Sequence, residues 1–198
     1  MKQRRSIETR DRILESGMNV LFAEGTTSLS LRQVAKAAGI TPMAIYRHFD
    51  DKDSLELALL EHAFELFESY LKGSSTAGTP SENLVSLATR FFDFAIEREP
   101  HFRFLFLSGA RPPDGGRGSI VRSISRPTFL LLKEGLAAWA QEASVDVQDL
   151  NSMTVDTLAF CVGQVALVLS GNLIYAQKDQ KRELAEAFDR YLALMILP

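Results

Sequence analysis

The stretch Leu31 to Phe49, LRQVAKAAGITPMAIYRHF, sets two short helical patterns on either side of a glycine. Ser30-Leu31-Arg32-Gln33 has the form of a capping box, in which the serine oxygen accepts the third backbone N–H and the glutamine reaches back. A helix over 31–38 is therefore expected, ending at Gly39. Thr41 then stands as an N-cap and Pro42 at the first position of a second short helix, 42–49. Ala35 is followed four residues on by Gly39 and six further by Ile45. Two helices that cross closely at a steep angle need a small residue in the first, a glycine in the turn and a branched apolar residue in the second. These three positions supply them, and Leu31, Val34, Ala38 and Ile40 fill the rest of a small core. The pattern predicts a helix-turn-helix at about 29–48, a unit whose second helix enters the DNA major groove by its N-terminal half. A generic helical hairpin is the plainer alternative.

Working outward, helical periodicity continues on both sides. Before the motif, a helix from about Ser6 to Glu24 places Ile13, Leu14, Met18, Leu21 and Phe22 on one stripe, with Gly25 as its C-cap and Thr26–Ser28 as a polar loop. After it, Asp50 or Asp51 caps a fourth helix running through Leu55, Leu59, His62, Leu66 and Tyr70 to about Lys72. Residues 73–80, GSSTAGTP, read as a linker. Further helices are expected over 81–98, over 120–143 with a bend near Pro127, over 146–177 and over 179–197. Between them lie a short aromatic segment, His101 to Leu107, and a turn-rich loop, 109–118. The expected fold is all-α, with about nine helices and no sheet. A three-helix domain carrying the helix-turn-helix is expected over 6–66, and a second helical domain over 67–198.

Composition sets the class. The 198 residues are 46% hydrophobic and 24% charged, as in an ordinary globular protein. The single cysteine, Cys161, can form neither an internal disulfide nor a zinc knuckle, which suits a reduced, cytoplasmic setting. The charged stretch from Met1 to Arg12 does not have the form of a secretory signal. Residues 1–48 hold eight Lys or Arg and four acids, and the rest carries the acidic excess behind the net charge of −3. A basic head on an acidic body fits a polyanionic partner at one end. Lys2, Arg4 and Arg5 read as a solvated tail or as an arm for the minor groove. Thr157 to Gln177 contains no charge and is long enough for a membrane span, yet Gln164, Ser170 and Asn172 interrupt it and no second span exists. A helix buried on nearly all sides, and no membrane, is the expectation.

Candidate contacts follow from the motif. On the second helix, Thr41, Pro42, Met43, Ala44 and Arg47 are expected to face outward. Arg47 can bond bidentately to guanine, and the methyl groups of Thr41, Met43 and Ala44 can meet thymine. Thr27, Ser30, Arg32 and Gln33 can hold phosphates across the groove, aided by the helix N-terminus at Ser30.

Residues 10 to about 62 resemble the DNA-binding domain of TetR-family transcriptional regulators. The matching features are Phe22-Ala23-Glu24-Gly25 at the end of the first helix, Ala-x-x-Ala-Gly-Ile-Thr in the turn, and Tyr-Arg-His-Phe ahead of Lys52. The resemblance implies that Tyr46, His48 and Lys52 touch DNA phosphates. It also implies a homodimer on a palindromic operator, and a C-terminal domain that binds a small molecule and dimerises. Met43 departs from the family pattern, which commonly has glycine or serine there, and points to a different base preference. The helix over 146–177, apolar nearly all round, and the amphipathic last helix are expected to form a four-helix interface between subunits. Phe64, Phe67, Phe91, Phe94, Phe104, Phe129 and Phe160 are candidates to line an apolar cavity, with His101, Gln164 and Asn172 as polar anchors; plain core filling is the alternative for each.

The function expected is a ligand-responsive DNA-binding regulator, a repressor rather than an activator, released by a small hydrophobic ligand. A helical DNA- or protein-binding module without an inducer is the rival. An enzyme is not expected. His62 and Glu65 with Glu61 make a sparse set for a metal, Cys161 has no base beside it in sequence, and no glycine-rich phosphate loop or serine elbow occurs. No cofactor and no metal are implied.

Overall fold

A computed structural model describes residues 2–24, 29–107, 127–173 and 179–196, without the side chains of 2–7 and 24. The fold is all-α. Among the described residues it has nine α-helices: α1 (Lys2–Glu24), α2 (Leu31–Ala37), α3 (Pro42–Ile45), α4 (Lys52–Leu71), α5 (Pro80–Glu97), α6 (Glu99–Phe102), α7 (Pro127–Glu142), α8 (Leu150–Leu169) and α9 (Gln180–Leu194). One turn of π-helix, Arg103–Leu107, continues directly from α6. The expected Gly25 cap, the 26–28 loop, the 109–118 loop and residues 120–126 lie outside the described residues.

Two compact units divide the chain. The first holds the described residues up to Glu65 with Arg103–Leu107, and the second holds Leu66–Phe102 with the described residues from Pro127 onward. In the first, Ile13, Leu14 and Met18 of α1 are buried with Val34, Ala35, Ile45, Leu55 and Leu59. Gly17 lets α1 approach α4 closely: a Cβ there would stand 3.0 Å from the Leu59 side chain. The second unit is built around α5, which packs against α7, α8 and α9. Leu84, Phe92, Phe94, Leu136, Trp139, Leu184 and Phe188 form its interior. Polar groups tie its periphery. Tyr70 donates to Glu97 and accepts from the Arg98 guanidinium, while Lys181 pairs with both Glu97 and Asp93. The hydrogen bond from Lys181, reinforced by that from Tyr70, holds the Glu97 carboxyl below its usual pKa.

Local chemistry explains the boundaries, including those that differ from expectation. Thr79 and Glu82 close a full capping box, so α5 begins at Pro80 rather than at Ser81. The segment expected as a linker is held in place: the Ser75 N–H donates to Ser86 Oγ, the Gly78 N–H to Asn83 Oδ1, and Arg90 Nε to the Gly73 carbonyl. The described part of α7 begins at Pro127, so the bend expected there lies at the edge of the described residues. Asp149 caps α8 by accepting from the Asn151 and Ser152 N–H groups, so the helix starts at Leu150. It ends at Leu169, with Ser170 as C-cap and Gly171 at φ 73°, well short of residue 177. Nor is α8 buried on nearly all sides, for Val155 is 41% and Leu167 44% exposed.

Gly39 fixes the turn between α2 and α3. Its φ is 64°, a left-handed conformation that costs an ordinary residue roughly 1–2 kcal/mol. A Cβ at Gly39 would meet no atom within 4 Å, so the cost of substitution is conformational alone. Gly39→Ala is therefore expected to lower unfolding free energy by about 1 kcal/mol, and Gly39→Asn by less, because asparagine tolerates this conformation. Denaturant unfolding measures both; an alanine variant as stable as the parent would contradict the assignment.

Candidate nucleic-acid interface

The interface is assembled from backbone hydrogen bonds first. The Ile40 N–H donates to the Ala35 carbonyl at 3.0 Å and the Gly39 N–H to the Lys36 carbonyl at 3.2 Å. This is a Schellman ending, made possible by the positive φ of Gly39. It turns the chain sharply into α3. Ser30 Oγ accepts from the Gln33 N–H at 3.5 Å, the forward half of the expected capping box. Thr41 has the extended backbone of an N-cap, but its hydroxyl makes no capping bond; Pro42 occupies the first turn as expected. Beyond α3 the His48 and Phe49 N–H groups both donate to the Ile45 carbonyl, so a helical turn carries on past the helix proper. Asp51 then caps α4: its Oδ1 accepts from the Ser54 N–H at 2.7 Å, and its own N–H donates to Ser54 Oγ at 3.2 Å.

Burial sets the orientation of α3. Ile45 is fully buried, as are Val34 and Ala35 on α2. Successive residues of a helix turn by about 100°, so positions two before and two after Ile45 point to the opposite side. Met43 and Arg47 hold those positions, and both are exposed. Met43 is 71% and Tyr46 50% exposed. Thr41 and Pro42 are exposed, and Ala44 and His48 are half-buried. On α2, Arg32 and Gln33 are exposed beside half-buried Ser30. Lys52, in the first turn of α4, is exposed and pairs with Glu56 at 3.3 Å. Thr27 lies outside the described residues, as do the side chains of Lys2, Arg4 and Arg5.

Arg10, which the sequence did not mark as a candidate, joins this end of the first unit. Its guanidinium sits 5.4 Å from the centre of the Phe49 ring, a cation–π arrangement. The pairing spans two helices and a turn, and no local pattern around Arg10 signals it.

Part of the phenylalanine set packs together within the second unit. Phe67, Phe91 and Phe94 pack against one another, at 5.6 Å for Phe67–Phe91 and 4.8 Å for Phe67–Phe94, and all three are buried. Phe129 is buried on α7, while Phe160 is half-buried and stacks on Tyr191 at 4.2 Å. Phe64 and Phe104 are buried members of the first unit. Gln164 and His101 are half-buried. Asn172 is exposed just past the end of α8, where it donates to Ser170 Oγ.

Residues 13–59 match the sequence model of the bacterial regulatory proteins of the tetR family. The first unit thus carries a helix-turn-helix of the tetR type, the DNA-binding module of a transcription regulator. An uncharacterized helix-turn-helix transcriptional regulator of Haemophilus influenzae is 27% identical over 165 residues, covering 82% of this chain and 80% of that protein. Two solved structures share the fold over nearly the whole chain. The fatty acid degradation regulator FadR of Bacillus halodurans has 18% identity and a TM-score of 0.72, covering 92% of this chain and 93% of its own. RolR in complex with the ligand resorcinol has 19% identity and a TM-score of 0.63, covering 99% of this chain and 94% of its own.

Among the described residues no group of three or more His, Cys, Asp or Glu side chains is placed to hold a metal ion. Burial pushes the Cys161 thiol up to about 12, so almost none of it is thiolate at neutral pH. Iodoacetamide at pH 8 is expected to leave the native protein unlabelled and to modify Cys161 once guanidinium unfolds the chain. Mass spectrometry reads the result, and rapid labelling of the native protein would contradict the burial.

Proposed function

We propose that this protein is a TetR regulator, a cytoplasmic, homodimeric repressor that binds a palindromic operator through α3 and leaves it when a small hydrophobic ligand binds the body. On this reading residues 6–66 are the DNA-binding domain, and 67–198 bind the ligand and dimerise. One observation carries it. A buried Ile45 holds a four-residue helix so that exposed Met43, Tyr46 and Arg47 face away from the protein. Arg47 donates to a guanine edge. Tyr46, His48, Lys52, Ser30, Arg32 and Gln33 supply phosphate contacts that set register without reading sequence. Arg10, beside Phe49, adds a further cation at that end.

Dimerisation is supported by apolar surface with no cover in the single chain. Val155 and Leu167 on α8, and Leu194 and Ile196 at the end of α9, are all more than two-fifths exposed. A second copy would cover them and carry a second α3 to the next turn of the same groove. A ligand-binding body is supported by the phenylalanine-rich second unit and by the likeness in fold to a protein solved with resorcinol and to a regulator of fatty acid degradation. Release requires only that the ligand bind more tightly to a state in which the two reading helices no longer match the groove repeat.

The test begins with selection of bound duplexes from random DNA by the full-length protein. A single palindromic family of sequences is expected, with affinity that falls steeply as salt rises. Arg47→Ala should cost roughly 1–3 kcal/mol at one base position and relax specificity there, whereas Lys52→Ala should weaken all duplexes alike and reduce the salt slope by about 1. An Arg47→Ala protein that keeps full specificity would refute base reading by that residue.

Sedimentation tests the paired body separately. The parent is expected to run as a dimer at micromolar concentration. Leu194→Glu, which places charge on the uncovered face, should shift it toward monomer and weaken operator binding in parallel. A monomeric parent that binds the palindrome with full affinity would overturn the dimer.

A further inference from the structure

The outward face of α3 is unusual in what it lacks. Its helical residues are Pro42, Met43, Ala44 and Ile45, and none carries a hydrogen-bonding side chain beyond the weakly accepting thioether of Met43. Polar side chains stand at its two ends, the Thr41 hydroxyl, which makes no capping bond, on one side and the Tyr46 phenol with the Arg47 guanidinium on the other. Between them Met43 projects with 71% of its surface exposed, on the same side as Arg47 and opposite buried Ile45.

In the major groove, guanine, cytosine and adenine present donors and acceptors, and thymine alone adds an apolar group, its C5 methyl. A methionine pressed against a polar base edge would strip water from that edge and return no hydrogen bond, which costs affinity. Pressed against a methyl group it buries apolar surface on both sides, and its unbranched chain adapts to the exact position of that methyl. Resting on the α3-in-groove reading above, we infer that Met43 is a specificity-determining residue that selects a thymine methyl in each half of the operator. Arg47 then reads the polar edge on one side, and the apolar Pro42 and Ala44 keep competing polar contacts away from the other.

Deoxyuridine tests this cleanly, because it differs from thymidine only in the C5 methyl. In the operator obtained by selection, each thymine of one half-site is replaced singly by uracil and the affinity of the full-length protein is measured at fixed salt. Removing one buried methyl is expected to weaken binding about fourfold at one or two positions and to leave the others unchanged. Met43→Ala should abolish that uracil penalty at the same position, and Met43→Leu should retain it. Both variants should unfold at the parental temperature, since the side chain is exposed. The inference is overturned if no uracil substitution matters, or if Met43→Ala shows the same penalty as the parent. Failure to select any duplex would instead defeat the DNA-binding reading, and this inference with it.

Discussion

The close crossing of α2 and α3 is the contact on which the rest depends. A helix of four residues is far too short to be stable alone, since the cost of nucleation exceeds what one or two backbone hydrogen bonds return. It persists because Ile45 is sunk completely between α2 and its neighbours, a burial that stabilises by roughly 1.5–3 kcal/mol. That burial needs the small Ala35 on the facing helix and the left-handed Gly39 that brings the chain back. The reading face is the geometric complement of this core: pinning one residue inward turns those two positions before and after it outward. Function here follows from packing.

The second unit obeys a different logic. Its core around α5 has aromatic rings in mutual contact and charges such as Lys181, Asp93 and Glu97 paired at the edge. Its outer helix α8 is nearly free of charge and yet open on one side. An apolar helix in water is stable only when that side is covered. The same imbalance resembles a membrane span in the sequence, and the proposed dimer would cover it.

What was legible in the sequence was whatever short-range chemistry controls. Ser30, Gly39, Pro42 and the Asp51 cap are local signals, and the helix-turn-helix stands where they put it. Misreadings arose where the deciding contact is distant or the local pattern is shared by two structures. An apolar run gives no internal reason to stop, and only Ser170-Gly171 ends α8 before residue 177. Thr41 looks like a capping side chain, but its hydroxyl is not used that way. Phenylalanines suited to a cavity are the same residues suited to a core, and ring contacts among Phe67, Phe91 and Phe94 cannot be read from spacing. The placement of Arg10 over Phe49 depends on the tertiary fold and has no sequence signal at all.

The central claim is that α3 is the surface that meets DNA. The five methionines include one on that surface, Met43, and Met153 and Met195 in the second unit. With 13C-labelled methionine methyl groups, titration with a selected operator duplex should shift and broaden the Met43 resonance more than any other. A Met43 signal that stays fixed while the duplex binds and the Met153 or Met195 signals move would contradict the account.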